Sequence, residues 1–356
     1  MLKLFEKLTE IHGGSGFEEK VIKAIVSELK RSLQDVSVDS MGNVIGKLGK
    51  GKKSVMVCAH SDEVGLLIKY IDPKGYIYFD FNGMIDERVL LSTKVDICTD
   101  KGIFTGVVGV KNRHLLTAED LKRPISISDL WIDVGAKSAE EVQRWGIEIG
   151  DSIVFHPNFQ RIGKDTIISK AIDNRASCAI LIDLAERMKS KKIDYQLFLV
   201  AAVQEEVGSR GAKVAAQTLG PDMAIVIDTV PALDPVTPPQ QATSECGKGP
   251  VIRSMDVNAM GWGTIYSKKI HQRLITTAVK NKIPHQKDIF RTWTDASTIH
   301  TSGRGIPCGG LYIPRRYSHS PVELVKWSDV EKTAELLYLF LKDLNSSVIE
   351  DLIRKA

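Results

Sequence analysis

The chain reads as an α/β protein: a mixed sheet sandwiched by helices, with a small β-barrel-like domain inserted into it. Three observations predict this. Continuous apolar runs of strand length, at residues 54–58, 195–203 and 223–227, are separated or flanked by segments of helical period, the pattern of a sheet covered on both faces. From about residue 65 to 160 the texture changes to short strand-like runs cut by Gly, Pro and Asp, with few helical patterns, as in a small sheet or barrel. A length of 356 residues also exceeds what one ordinary core accommodates and suggests about two domains. The expected division is residues 1–64 with 162–356 for the helix-covered sheet, and 65–161 for the insertion.

The elements follow in order. A short amphipathic helix opens the chain and is broken at His12-Gly13-Gly14-Ser15-Gly16. Ser15 with Glu18 has the spacing of a capping box for a second helix, whose buried face is Phe17, Val21, Ala24, Ile25 and Leu29. Asp39-Ser40-Met41-Gly42-Asn43 reads as a hairpin turn between two short strands. Residues 54–58 are an apolar strand delivering His60 to a sheet edge. Strands of the insertion are expected at 76–81, 94–98, 103–110, 131–134 and 152–155. Beyond it, strands at 195–203, 223–227 and 308–313 accompany helices at 174–188, 209–219, 268–281 and 328–344. Residues 231–246, with four prolines and no period, form a long loop.

Composition excludes several functions. The chain is 43% hydrophobic and 26% charged, as in soluble globular proteins. Its net charge of +4 arises from 48 basic and 44 acidic residues mixed along the sequence, without the basic stripe that nucleic-acid binding requires. No apolar run approaches the ~20 residues of a membrane span, and the N-terminus lacks a secretory apolar region. The five cysteines are odd in number and scattered, so they read as reduced core residues in a cytoplasmic protein, and none forms a thiolate zinc site. Aromatics at 6% offer no stacking platform for sugars.

The chemistry lies in five short motifs. They are Ala59-His60-Ser61-Asp62-Glu63, Ala171-Ile172-Asp173-Asn174-Arg175, Gln204-Glu205-Glu206-Val207-Gly208, Ile227-Asp228-Thr229 and Tyr317-Ser318-His319-Ser320-Pro321. In open α/β sheets, ligands collect beyond the carboxyl ends of the strands, and three apolar strands here end in His60, Glu205-Glu206 and Asp228. Two imidazoles and three carboxylates, His60, Asp173, Glu206, Asp228 and His319, are the donor set of a centre with two divalent ions, of zinc, cobalt or manganese. Asp62, two residues after His60, is placed to accept from the other ring nitrogen of that imidazole and fix its tautomer. Neighbours on a strand point opposite ways, so a turn after the strand is needed to aim Glu206 at metal and Glu205 at water as the general base.

Each residue alone has a plainer reading. His60 could be a buried structural histidine, Asp173 a helix N-cap, Glu205 and Glu206 first-turn acids, Asp228 a strand terminator, and His319 a loop histidine. The ordered set overturns those readings where no single motif does.

From Gly14-Ser15-Gly16-Phe17-Glu18 through the His60 and Glu205 motifs to Thr294-Asp295-Ala296 and Pro314-Arg315-Arg316-Tyr317-Ser318-His319-Ser320-Pro321, the chain resembles the glutamyl and tetrahedral aminopeptidases. That resemblance implies a zinc-peptidase-like catalytic domain, the five ligands named above with Asp173 bridging, and Glu205 as base. It also implies peptide substrates cleaved at free N-termini, an inserted β domain used for dimerisation, and frequently a twelve-subunit hollow shell. The chain departs from the family at Asn82-Gly83-Met84-Ile85-Asp86 and at Glu245-Cys246-Gly247-Lys248-Gly249-Pro250. A related deacylase or carboxypeptidase, a glycosidase of endoglucanase type and a non-catalytic metal-binding scaffold are the alternatives. A glycosidase needs two carboxylates flanking a sugar and no metal ligands.

Overall fold

The computed structural model describes residues 1–354. Its centre is a 12-stranded mixed sheet, and a second set of six strands closes into a barrel. In the middle of the sheet the strand Ser54–His60 lies between two parallel neighbours, Gln196–Ala202 and Met223–Pro231, and the latter pairs in parallel with Cys308–Arg316. These four strands end at one edge of the sheet.

Period-2 alternation divides the core. Val55, Val57 and Ala59 face one apolar cluster, with Leu197, Leu199, Ile225 and Ile227 and the helices Leu2–Glu10, Glu19–Leu29, Ile172–Met188, Lys268–Lys280 and Trp327–Lys342. Met56 and Cys58 face the other, with Val200, Ala224, Val226 and the helices Arg210–Leu219 and Ala296–Ile299. A strand buried on both faces has to be apolar at every position, hence the unbroken runs in the sequence.

The barrel strands follow the order Gly65–Ile71, Ile77–Asn82, Trp131–Asp133, Gly102–Gly109, Lys94–Thr99 and Ser152–Phe155. Their inward residues, among them Leu66, Ile68, Ile77, Phe79, Val95, Ile97, Ile132 and Ile153, make a third core. Five of these strands match the sequence expectation. Gly65–Ile71 does not appear in it, because only Gly65, Leu66 and Ile68 of its seven residues are buried and the period is weak.

The hairpin forms as expected, with the Asp39 carboxylate accepting from the N–H groups of Met41, Gly42 and Asn43 and with Gly42 at φ +102°. The capping box does not form. Ser15 donates to Asp62 at 2.6 Å, while Glu18 accepts from the backbone of Gly16 and of the distant Gln204. A buried carboxylate and an orphan N–H far along the chain are partners that local spacing cannot reveal. Strands Val251–Val257, Gln286–Ile289 and Glu323–Lys326 are also additions to the expected set. Val251–Val257 was masked by Arg253 and Asp256, which are buried but satisfied: Arg253 pairs with Asp288 at 2.7 and 2.9 Å, and Asp256 accepts from Tyr266.

Candidate metal centre

All five expected ligands converge at the common strand edge. His60 closes its strand opposite Ala202, and Glu205 and Glu206 follow three and four residues after Ala202. Asp228 lies within the next parallel strand. Asp173 sits where the backbone is not yet helical, and its N–H donates to Glu323 at 2.9 Å. His319 stands in the loop after Cys308–Arg316, with its N–H on Glu323 and its Nδ1 2.6 Å from the Met84 carbonyl.

Asp173 joins the two halves of the cluster. Its Oδ1 is 3.1 Å from His60 Nε2, and its Oδ2 is 3.4 Å from His319 Nε2. On the first side Asp228 lies 3.6 Å from His60 Nε2; on the second, Glu206 lies 3.5 Å from His319 Nε2. Two sets of donor atoms therefore gather within metal-binding reach, His60–Asp173–Asp228 and Asp173–Glu206–His319, sharing Asp173. A third grouping, His60–Glu205–Glu206, brings in the adjacent acid.

The turn required after the strand is present. Gln204 adopts φ +55°, and both following N–H groups are held by Asp62, Glu205 N at 3.0 Å and Glu206 N at 3.1 Å. With both amides anchored on one buried carboxylate, the two side chains enter the site from a fixed hairpin of backbone. Asp62 thus clamps the backbone, and its Oδ1 also lies 3.4 Å from His60 Nδ1, the ring nitrogen expected to face it. Glu205 directs Oε2 to within 4.0 Å of His60 Nε2.

The electrostatics of the cluster call for cations. Burial pushes Glu205, Glu206 and Asp228 upward, and neighbouring carboxylates add to it: Glu206, Asp295 and Asp228 on Glu205, and Asp173 on Glu206 and Asp228. Burial would lower both imidazoles, but the carboxylates outweigh it, holding His319 at about 9 and His60 well above its ordinary value. Among the carboxylate ligands Asp173 alone is driven down: Arg315, His319 and His60 outweigh its burial. Glu206 Oε1 is buried without a hydrogen-bond partner among the described residues, and a hollow of about 10 Å³ beside Asp173, Glu206 and His319 has room for one small ion. The donor set fits two divalent cations. A far larger cavity, about 980 Å³, lies elsewhere, around Gly220, Lys268, Arg304 and Ile353, and contains none of these residues.

Further residues contribute to the site beyond the five ligands, Glu205 and Asp62. Arg315 donates to Asp173, to Glu323 at 2.5 Å and to Thr229 at 2.6 Å, so a guanidinium shares the central carboxylate. Its signals are its place in the motif of residues 314–321 and, with Arg316, a basic end to an otherwise apolar strand. Glu323 gave no signal. Asp295 does not cap the helix it begins; it is buried, touches Cys58 at 3.5 Å, leaves Oδ1 without a partner among the described residues, and is pushed up to about 7 by burial.

Fold and site together define a hydrolase of the metal-dependent peptidase class. The sequence model described as M42 glutamyl aminopeptidase matches residues 42–336, and the chain belongs to that family. A putative aminopeptidase of Acetivibrio thermocellus is 38% identical over 340 residues, covering 95% of this chain and 97% of its own. Among solved structures, an aminopeptidase from the archaeon Desulfurococcus kamchatkensis superposes with a TM-score of 0.93 at 35% identity, over 99% of this chain and 97% of that one. The TET1 peptidase of Pyrococcus horikoshii, described as assembling into a tetrahedron or a large octahedral shell, gives a TM-score of 0.87 at 34% identity, over 96% and 99%. The protein is an aminopeptidase.

Proposed function

We propose that this aminopeptidase releases N-terminal residues from peptides at a two-cation centre held by His60, Asp173, Glu206, Asp228 and His319, with Glu205 as general base. The observation that carries the reading is the division of Asp173, one oxygen facing the His60 set and the other the His319 set. Zinc or cobalt, and after them manganese, suit these donors and would supply Lewis acidity toward the scissile carbonyl and acidify water. Glu205 is not needed by either shared set, and its Oε2 faces the cluster. It takes the proton of the attacking water and returns it to the leaving amine. Asp62 holds the backbone amides of Glu205 and Glu206, so base and ligand keep their separate directions.

The reading extends to the assembly. Residues 65–161 form a dimerisation domain, for which Ile103 and Val107 on one barrel strand supply exposed apolar surface, and dimers build a larger shell of up to twelve subunits. Five free cysteines accord with a cytoplasmic location.

Mass spectrometry of a peptide mixture and its N-acetylated twin, with metal and with chelator, tests the activity: stepwise, metal-dependent loss from free N-termini alone is expected. Glu205→Gln is expected to keep its bound metal while kcat falls by roughly 10²–10⁴. Loss of metal in that variant would exchange the roles of the two glutamates, and full turnover would remove the base. Metal-dependent cleavage of blocked peptides would make the enzyme a deacylase or endopeptidase.

A further inference from the structure

We propose that Trp293 and Ser209 are positioning residues for Glu205, joined in a hydrogen-bonded relay that fixes which carboxylate oxygen faces the reaction. The proposal rests on Glu205 being the base and goes beyond it by naming what aims the base. The Trp293 indole N–H donates to Ser209 Oγ at 2.6 Å, and Ser209 Oγ lies 3.4 Å from Glu205 Oε1. An indole nitrogen only donates, so Ser209 Oγ is the acceptor of the first bond, and its own hydrogen is free to point at Glu205. The direction of the relay is thereby set, from Trp293 through Ser209 to Oε1. With Oε1 engaged, Oε2 is the oxygen left toward His60.

Local structure is arranged around this relay. Ser209 occupies the N-cap position of the helix Arg210–Leu219, where a serine ordinarily accepts from a helix N–H, yet its side chain makes no such bond. It is fully buried and adopts φ +51°, an unfavourable conformation for an L residue. The segment carrying Trp293 grips Ser209 a second time, through Thr298 Oγ1 on the Ser209 carbonyl at 3.2 Å. Thr294 is tied to buried Asp256 at 3.0 Å, and the Trp262 ring packs 6.1 Å from that of Trp293. A loop nearly ninety residues further along the chain thus reaches back to the residue that touches the base. The forgone cap and the strained backbone make sense if the hydroxyl is wanted by Glu205.

The test compares Trp293→Phe, which keeps the ring and removes the N–H, with Ser209→Ala and with the double variant, all metal-loaded, alongside Glu205→Gln. Each single variant is expected to lose about tenfold in kcat with KM and bound metal unchanged. The double variant is expected to be no slower than the slower single, because both substitutions break one relay. Losses that multiply, or a raised KM at unchanged kcat, would overturn the relay; the latter would make Trp293 a wall of the substrate site. Full kcat in both singles with an inactive Glu205→Gln would also overturn it while leaving the base in place. An active Glu205→Gln would instead remove the reading on which the proposal rests.

Discussion

Glu63→Gln is expected to cost about 3–5 kcal/mol of stability at pH 7, with a deficit that shrinks as pH rises. Glu63 follows His60 by three residues, and its buried carboxylate accepts from Lys170 Nζ at 2.6 and 2.7 Å, from Arg175 at 3.4 Å and from Gly13 N at 3.1 Å. Lys170 and Arg175 bracket Asp173 in sequence and are both fully buried. One carboxylate therefore ties the end of the His60 strand to the segment presenting Asp173. Glutamine leaves Lys170 buried without an anion. Its escape is to lose the proton, and from an ordinary value of 10.5 that costs about 5 kcal/mol at pH 7, within the usual range for breaking a buried pair from one side.

The sign follows from linkage. Burial already lowers the Lys170 pKa against the pull of Glu63, and in the variant burial and Arg175 are opposed only by the smaller pull of Cys98, so the folded state binds fewer protons than the unfolded one. Stability of the variant then rises with pH up to the unfolded value, and the deficit narrows by about 1.4 kcal/mol per unit, to roughly 2 kcal/mol at pH 9. Adding Lys170→Met is expected to recover most of the loss, since Arg175 keeps the carbonyls of Leu8 and Ile11 at 2.5 and 2.9 Å. Urea denaturation followed by tryptophan fluorescence at pH 7 and 9 measures all of this. A deficit below about 1 kcal/mol, or one independent of pH, would refute the reasoning.

Two further outcomes are expected. Burial and then Asp62 push Glu18 up from 4.5 to about 7, so its contribution is greatest below pH 4.5 and falls by roughly 3 kcal/mol as pH rises through 7. Glu18→Gln keeps an acceptor for Gly16 and Gln204 and is expected to flatten that part of the curve of denaturation midpoint against pH; an unchanged slope would place the proton elsewhere. Asp96, on a barrel strand, accepts from His12 outside the barrel at 3.0 Å and from His156 at 3.0 and 3.1 Å. Asp96→Asn is expected to cost about 2–4 kcal/mol and to speed hydrogen exchange in Lys94–Thr99, and unchanged exchange there would show that the contact does not anchor the barrel.

Much of the fold was written in one-dimensional patterns. The runs that lead to His60, Ala202 and Asp228 are apolar because both faces are covered, and five of the six barrel strands announced themselves by turns. Strands that bury charge, such as Val251–Val257, broke the pattern, since Arg253 is tolerable only beside Asp288, thirty-five residues away. Around the site the donor types were legible because imidazoles and carboxylates rarely follow apolar strands in such numbers. Their division of labour was not. Asp62, Asp173 and Asp295 are the same side chain in three settings: one meets two backbone amides, one meets two imidazoles and a guanidinium, and one meets a thiol. Those partners are set by tertiary structure alone. His12 and His156 share the Asp96 carboxylate for the same reason.

The backbone itself points to the same place. Among the described residues seven other than glycine adopt positive φ, and five of them, Ala171, Gln204, Ser209, Tyr317 and His319, belong to the segments that present Asp173, Glu205, Glu206 and His319. At about 1–2 kcal/mol each, such conformations persist only where surrounding contacts over-determine them. Those contacts are the buried charge networks: Glu63 with Lys170 and Arg175 holds the chain on either side of Ala171, Asp62 holds both amides after Gln204, and Glu323 with Arg315 holds the amides of Asp173 and His319. Each network joins a strand end to a strained turn through protein groups alone. The chain thus spends its buried ion pairs on preorganising where the donors point, so that binding of cations completes a geometry already fixed by the fold.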